Sequence, residues 1–150
     1  MIVGSFYPNS LPLVEAVLYF PRLHKGSRVL LLVDTGTSDT LIHPADARRI
    51  LGLDDFEQDF EDRPRESMKG IGGEAQVWPE DAVITFRWHS KPRAGRERGS
   101  KEEEEIKQTI RIAIPTHHNE EAYSLLGRDL IHRFELLYSF PTGKLTITQP

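Results

Sequence analysis

Asp34 directly follows four consecutive apolar residues, Leu30-Leu31-Leu32-Val33, and is followed by Thr35-Gly36-Thr37-Ser38. A strand that runs from the core into a carboxylate puts a titratable group where desolvation disfavours its charged form, unless hydrogen bonds or a second acid offset the penalty. Gly36 lets the backbone turn sharply and lets a ligand come close, while Thr35 and Thr37 bring hydroxyls that can bond the carboxylate or the backbone around it. The chemistry such a group suits is proton transfer to and from a reacting atom. Asp-Thr-Gly is also a common turn, with the Asp side chain bonding its own backbone and Gly accepting positive φ. The unbroken apolar run before Asp34 and two further stretches downstream set this occurrence apart.

The first of these is Gly70-Ile71-Gly72-Gly73, in which three glycines surround one aliphatic residue between segments able to pair, from Met68 to Val77. This predicts a flexible hairpin tip that can close over a ligand and offer its amides. A plain surface hairpin is the bland alternative. A phosphate cradle is excluded because no Lys-Ser/Thr pair leads from the glycines into a helix. The second is Leu125-Leu126-Gly127-Arg128-Asp129, a buried strand end, a tight passage, and a short helix with Leu130, Ile131 and Phe134 on one face.

The positioning elements follow from periodicity. Leu13 to Phe20 is β-like, and His24-Lys25-Gly26-Ser27 is read as a turn into the strand ending at Asp34, which is expected to be buried on both faces. Thr40-Leu41-Ile42 is short and extended, and Pro44 opens a helix that Gly52 stops after Leu51. Asp54 to Glu66 reads as an acidic surface connection pinned by Phe56 and Phe60. Ala82 to Trp88 and Ile106 to Ile114 alternate as strands, joined by a charged loop, 89–105, expected to be mobile. Phe134 to Thr148 gives two strands around the turn Pro141-Thr142-Gly143-Lys144. His117-His118-Asn119-Glu120-Glu121 lacks zinc-protease spacing and is read as a polar loop, so no metal or other cofactor is expected.

At 150 residues the chain is expected to form a single domain over 1–150. A net charge of −4 argues against nucleic acid as the main partner. The absence of cysteine excludes thiolate chemistry and fits a reducing compartment. With no leader-like start and no apolar run of membrane-spanning length, a cytoplasmic protein without membrane contact is expected.

Taken in order, Val33-Asp34-Thr35-Gly36-Thr37-Ser38, Gly70-Ile71-Gly72-Gly73 and Leu125-Leu126-Gly127-Arg128-Asp129 resemble the catalytic loop, flap and apolar-apolar-Gly-helix of the retropepsin-like aspartic proteases, over most of the chain. The resemblance implies a mainly β, closed, barrel-like acid-protease lobe with one or two short helices. It implies Asp34 as the catalytic aspartate, Thr35 bonding across to a partner lobe, and Gly36 lining the substrate. Gly70, Ile71, Gly72 and Gly73 become the flap, and Thr37 and Ser38 become substrate-binding positions. Thr37 stands where retroviral enzymes usually carry alanine, and Ser38 where they carry an aspartate that binds substrate backbone and the helix arginine.

The implied reaction is peptide hydrolysis through a water activated by two carboxylates, one ionised and one protonated. Only one Asp-Thr-Gly is present, so a homodimer is expected, with a peptide or protein as substrate. A hydroxyl donated by Thr37 to the ionised carboxylate is expected to lower the basic limb of an acidic activity profile. Two rivals stand beside this: a catalytically silent dimeric peptide-binding module of the same fold, and a phosphoryl-transfer enzyme with Asp34 as nucleophile. The second is disfavoured because no lysine separates Asp34 from Thr35 and no acidic Mg²⁺-binding motif accompanies them.

Overall fold

Strand alternation in this chain builds a closed barrel. In the computed structural model, which describes residues 1–52, 55–70, 73–87 and 103–150, the strands are β1 (Ile2–Val3), β2 (Leu13–Phe20), β3 (Lys25–Val33), β4 (Leu41–Ile42), β5 (Glu66–Gly70), β6 (Gly73–Arg87), β7 (Glu103–Ala113), β8 (Ser124–Leu126), β9 (Glu135–Ser139) and β10 (Lys144–Thr148). The helices are α1 (Pro44–Leu51) and α2 (Arg128–Ile131). Six strands pair in the order β2-β3-β8-β4-β7-β6, and β6 pairs back onto β2 to close the ring. The protein is therefore mainly β, with a six-stranded barrel and two short helices. β5 extends from β6 as a hairpin, and β1, β10 and β9 form a separate three-stranded sheet.

The barrel interior takes every second residue. Val14, Ala16, Leu18 and Phe20 of β2 and Val29, Leu31 and Val33 of β3 face in, meeting Ile84, Phe86, Ile110 and Ile112. The expectation that β3 is buried on both faces is corrected here: Leu30 is 48% exposed, because a barrel strand has only one inward face. The turn before β3 also lies earlier than the sequence suggests. Pro21–Leu23 form a single 3₁₀ turn closed by His24 at φ 52°, and Lys25 to Ser27 already belong to the strand.

Phe56 and Phe60 sit in a short 3₁₀ helix, are fully buried, and pack against Trp78, so the acidic connection is pinned as its aromatic spacing suggests. β6 is one strand of 15 residues that runs from the hairpin tip into the barrel, where the sequence reads two segments. Glu103 to Glu105 lie in β7 rather than in a mobile loop, and the remainder of that loop, 89–102, lies outside the described residues.

α1 begins at Pro44 and ends at Gly52, whose φ of 70° is the left-handed stop that glycine accepts freely. Its first turn is satisfied from a distant strand: the buried Ser124 hydroxyl accepts from the His43 amide at 3.0 Å and donates to Asp46 at 2.6 Å. The His43 ring donates Nδ1–H to the Tyr123 carbonyl at 2.6 Å, a carbonyl being able only to accept. Burial lowers the His43 pKa below its ordinary value, against the raising effects of that backbone bond and of Asp46. A histidine whose folded pKa is depressed contributes stability that is complete above its unfolded value and is lost as pH falls through the folded one. Urea midpoints should therefore decline below about pH 6.5, the ordinary histidine pKa, and His43→Gln should flatten that part of the curve. An unchanged slope in the variant would assign the decline to other groups.

Candidate active site

The end of β3 is fixed from both sides. The Val33 amide donates to the Pro12 carbonyl at 2.8 Å and the Asp34 amide to the Leu126 carbonyl at 3.0 Å, so the strand is held to within one residue of the carboxylate. Asp34 is half-buried, and its Oδ1 accepts the Gly36 amide at 2.8 Å. That bond shapes the turn and leaves Oδ2 without a hydrogen-bond partner among the described residues. Thr35 is exposed, and its hydroxyl likewise has none.

α2 braces the loop from behind. Its first amides, Arg128 and Asp129, donate to the carbonyls of Thr37 and Ser38 at 3.0 Å each. The Asp129 carboxylate accepts the Thr40 amide at 3.0 Å and the Thr40 hydroxyl at 2.8 Å, and Thr40 in turn accepts the Gly127 amide at 3.1 Å. Arg128 reaches over the loop and donates to the Thr35 carbonyl at 2.9 Å. The passage at Gly127 is close enough that a Cβ there would meet the Asp39 carbonyl carbon at 2.4 Å and its oxygen at 2.6 Å.

The sequence shows Asp129 only as the last residue of the Leu125–Asp129 stretch and Thr40 only as the start of a short extended segment. Their shared network is a long-range pair, 89 residues apart, with no local spacing to announce it. Ser38, exposed, donates to the Asp39 carboxylate at 3.0 Å. Thr37, by contrast, is buried, and its hydroxyl donates to the Asp39 carbonyl at 3.3 Å, not to Asp34. The expectation that Thr37 tunes the acid is corrected by this geometry: replacing it by alanine removes a brace of the loop rather than a donor to the carboxylate.

A cleft of about 260 Å³ lies between this loop and the β5–β6 hairpin, lined by Asp34, Gly36 and Thr37 on one side and by Met68, Gly70, Gly73, Glu74 and Ala75 on the other. Leu41 and Leu125 form its inner wall. Gly70 and Gly73 are the last paired residues of the hairpin, directly opposite each other; Ile71 and Gly72 lie outside the described residues. The hairpin has two unlike faces. Met68 and Ala75 are register partners whose side chains share one face, whereas Ser67, Lys69, Glu74 and Gln76 alternate to the other, where Ser67 bonds both Glu74 and Gln76. Leu125 belongs to the third motif, but Met68, Ala75 and Leu41 are wall residues that the motifs did not single out; the period-2 alternation of the hairpin could have flagged the first two.

Asn119 closes the loop after β7 by accepting from the Thr116 amide and donating to the Ile114 carbonyl, and Glu120 pairs with Arg48 of α1. Hydrogen bonding to Arg48 holds the Glu120 carboxyl below its usual range. This stretch is thus tied to α1 and β7. No helix among the described residues is long and apolar enough to cross a membrane. Neither a protein-family model nor a curated protein matches the chain.

Proposed function

We propose that this chain is an aspartic endopeptidase of the retropepsin-like type, acting in the cytoplasm as a homodimer in which two copies of Asp34 share one proton. The observation that carries the reading is the Asp34 carboxylate. It ends a barrel strand, its Oδ1 is anchored by the Gly36 amide, and its Oδ2 is unpartnered beside a cleft walled in part by Leu41, Met68, Ala75 and Leu125. The unpartnered Thr35 hydroxyl beside it supports the expected bond to a second copy.

In this mechanism the ionised Asp34 takes a proton from a water placed between the carboxylates, and the resulting hydroxide equivalent attacks the peptide carbonyl carbon. The protonated Asp34 of the other copy donates to the carbonyl oxygen, and the pair returns a proton to the leaving amine as the C–N bond breaks. Gly36 gives the peptide backbone close access, while Leu41, Met68, Ala75 and Leu125 favour an extended substrate with apolar side chains around the cut. Digestion of a mixed-peptide library at mildly acidic pH tests the proposal. Hydrolysis that depends on Asp34 supports it, whereas binding of peptides without hydrolysis would identify the silent module instead.

A further inference from the structure

The outer wall of the barrel meets β1 along a groove of about 460 Å³, larger than the 260 Å³ cleft beside Asp34 and sharing no residue with it. Two of its lining residues are apolar and exposed, Val3 at 44% and Val17 at 42%. Four more carry charge: Glu15 of β2, Arg28 of β3, Arg87 of β6 and Glu103 of β7. An exposed apolar patch rimmed by charged groups is a form that ligand grooves take on a folded surface. The pleat explains why these residues face away from the core. β2 buries Val14, Ala16, Leu18 and Phe20, which leaves Glu15 and Val17 on its outer face.

Strand register sets the order of the charges. Arg28 lies opposite Val17 on one side, Thr85 lies opposite Val17 on the other, and Arg87 lies opposite Glu103. Arg87, two residues beyond Thr85, comes level with Glu15, so positive and negative groups alternate across the neighbouring strands β3, β2, β6 and β7. Such alternation ordinarily ends in cross-strand ion pairs, and here it does not. Arg28 Nε and Glu15 Oε1 are 3.7 Å apart, beyond hydrogen-bond length. Neither the Arg87 guanidinium nor the Glu103 carboxylate has an ion pair or hydrogen bond among the described residues. Donors and acceptors of both signs are therefore available beside an apolar surface.

We infer that this groove binds a short peptide with both termini free. Its α-carboxylate is taken by Arg87 and Arg28, its α-ammonium by Glu103 and Glu15, and its apolar side chains by Val3 and Val17. A zwitterion is favoured because the lining charges cancel: a simple anion would meet two carboxylates and a simple cation two guanidiniums, and like charges brought together oppose binding. The planar guanidinium fork matches a carboxylate, which an α-carboxyl group presents. Free short peptides are also what hydrolysis at Asp34 would release, but the inference does not rest on that reading, since it is measured by binding rather than by cleavage.

Leucyl-leucine titrated into protein carrying ¹³C-labelled methyl groups should shift the resonances of Val3 and Val17 and leave those of Leu41 and Met68, at the Asp34 cleft, in place. Amidating its carboxyl group, or acetylating its amine, should each weaken binding by about fivefold or more, the upper worth of an exposed ion pair. Arg87→Gln should abolish the discrimination against the amide, and Glu103→Gln the discrimination against the acetylated form. Both side chains are exposed and unpaired among the described residues, so the urea midpoints of the two variants should match the wild type. An absence of shifts at Val3 and Val17, or shifts confined to Leu41 and Met68, would overturn the inference. So would equal binding of the dipeptide blocked at both ends, or unchanged discrimination in both variants. Acetyl-leucyl-leucine binding as tightly as the free dipeptide would overturn it too, by making the groove an anion site. Binding as expected by a protein that hydrolyses no peptide would uphold the groove and contradict the peptidase reading.

Discussion

Asp34→Asn should lower kcat/KM for peptide hydrolysis by about a thousandfold or more, roughly 4 kcal/mol of transition-state stabilisation, with fold and dimer retained. The change is nearly isosteric, and an amide oxygen can keep the 2.8 Å bond from the Gly36 amide that shapes the turn. What is lost is the proton acceptor, and with it the division of labour between a charged and a neutral carboxyl. Stability should change by less than about 1 kcal/mol, because a half-buried side chain with one internal hydrogen bond has little else to lose. Steady-state kinetics beside a urea melt separates the two quantities. A variant that loses both activity and fold would make Asp34 a structural residue.

The second large effect is expected away from the carboxylate. Gly127→Ala should destabilise the protein by about 3 kcal/mol or more, lowering the melting temperature by roughly 10 °C. The cause is not backbone strain, for Gly127 sits at φ −92° and ψ 176°, which any residue adopts. It is contact: the new methyl would lie 2.4 to 2.8 Å from main-chain atoms of Asp39 and Thr40, and neither can move without breaking the bonds that tie α2 to the catalytic loop. Gly70→Ala is the matched control, because a Cβ there meets nothing within 4 Å and the position has no positive φ. Equal melting temperatures for the two variants would refute the packing argument.

The contrast between these glycines shows what a sequence can and cannot display. The strand into Asp34, the helix between Pro44 and Gly52, the hairpin ending at Gly70 and Gly73, and the Leu125-Leu126-Gly127 passage are all written in local periodicity and turn chemistry, and all are present. Closure of the barrel through Val17–Tyr19 and Val83–Thr85 is not, since pairing between strands so far apart in the chain leaves no local trace. The same holds for the bonds of Asp129 to Thr40 and of Ser124 to His43. Thr37 shows the opposite failure: its residue type suggested a donor to the acid, but burial turned the hydroxyl toward the Asp39 carbonyl. Type alone does not specify direction, which the packing of α2 against the loop decides.

The most direct test of a shared carboxylate pair is to mix wild-type and Asp34→Asn chains in varying ratio at constant total protein, allow subunits to exchange, and measure hydrolysis per total dimer. If each reaction needs one Asp34 from each copy, only wild-type pairs are active, and an equal mixture retains about one quarter of the wild-type activity. Activity that falls in simple proportion, to about one half in the equal mixture, would mean that a single Asp34 suffices and would contradict the dyad.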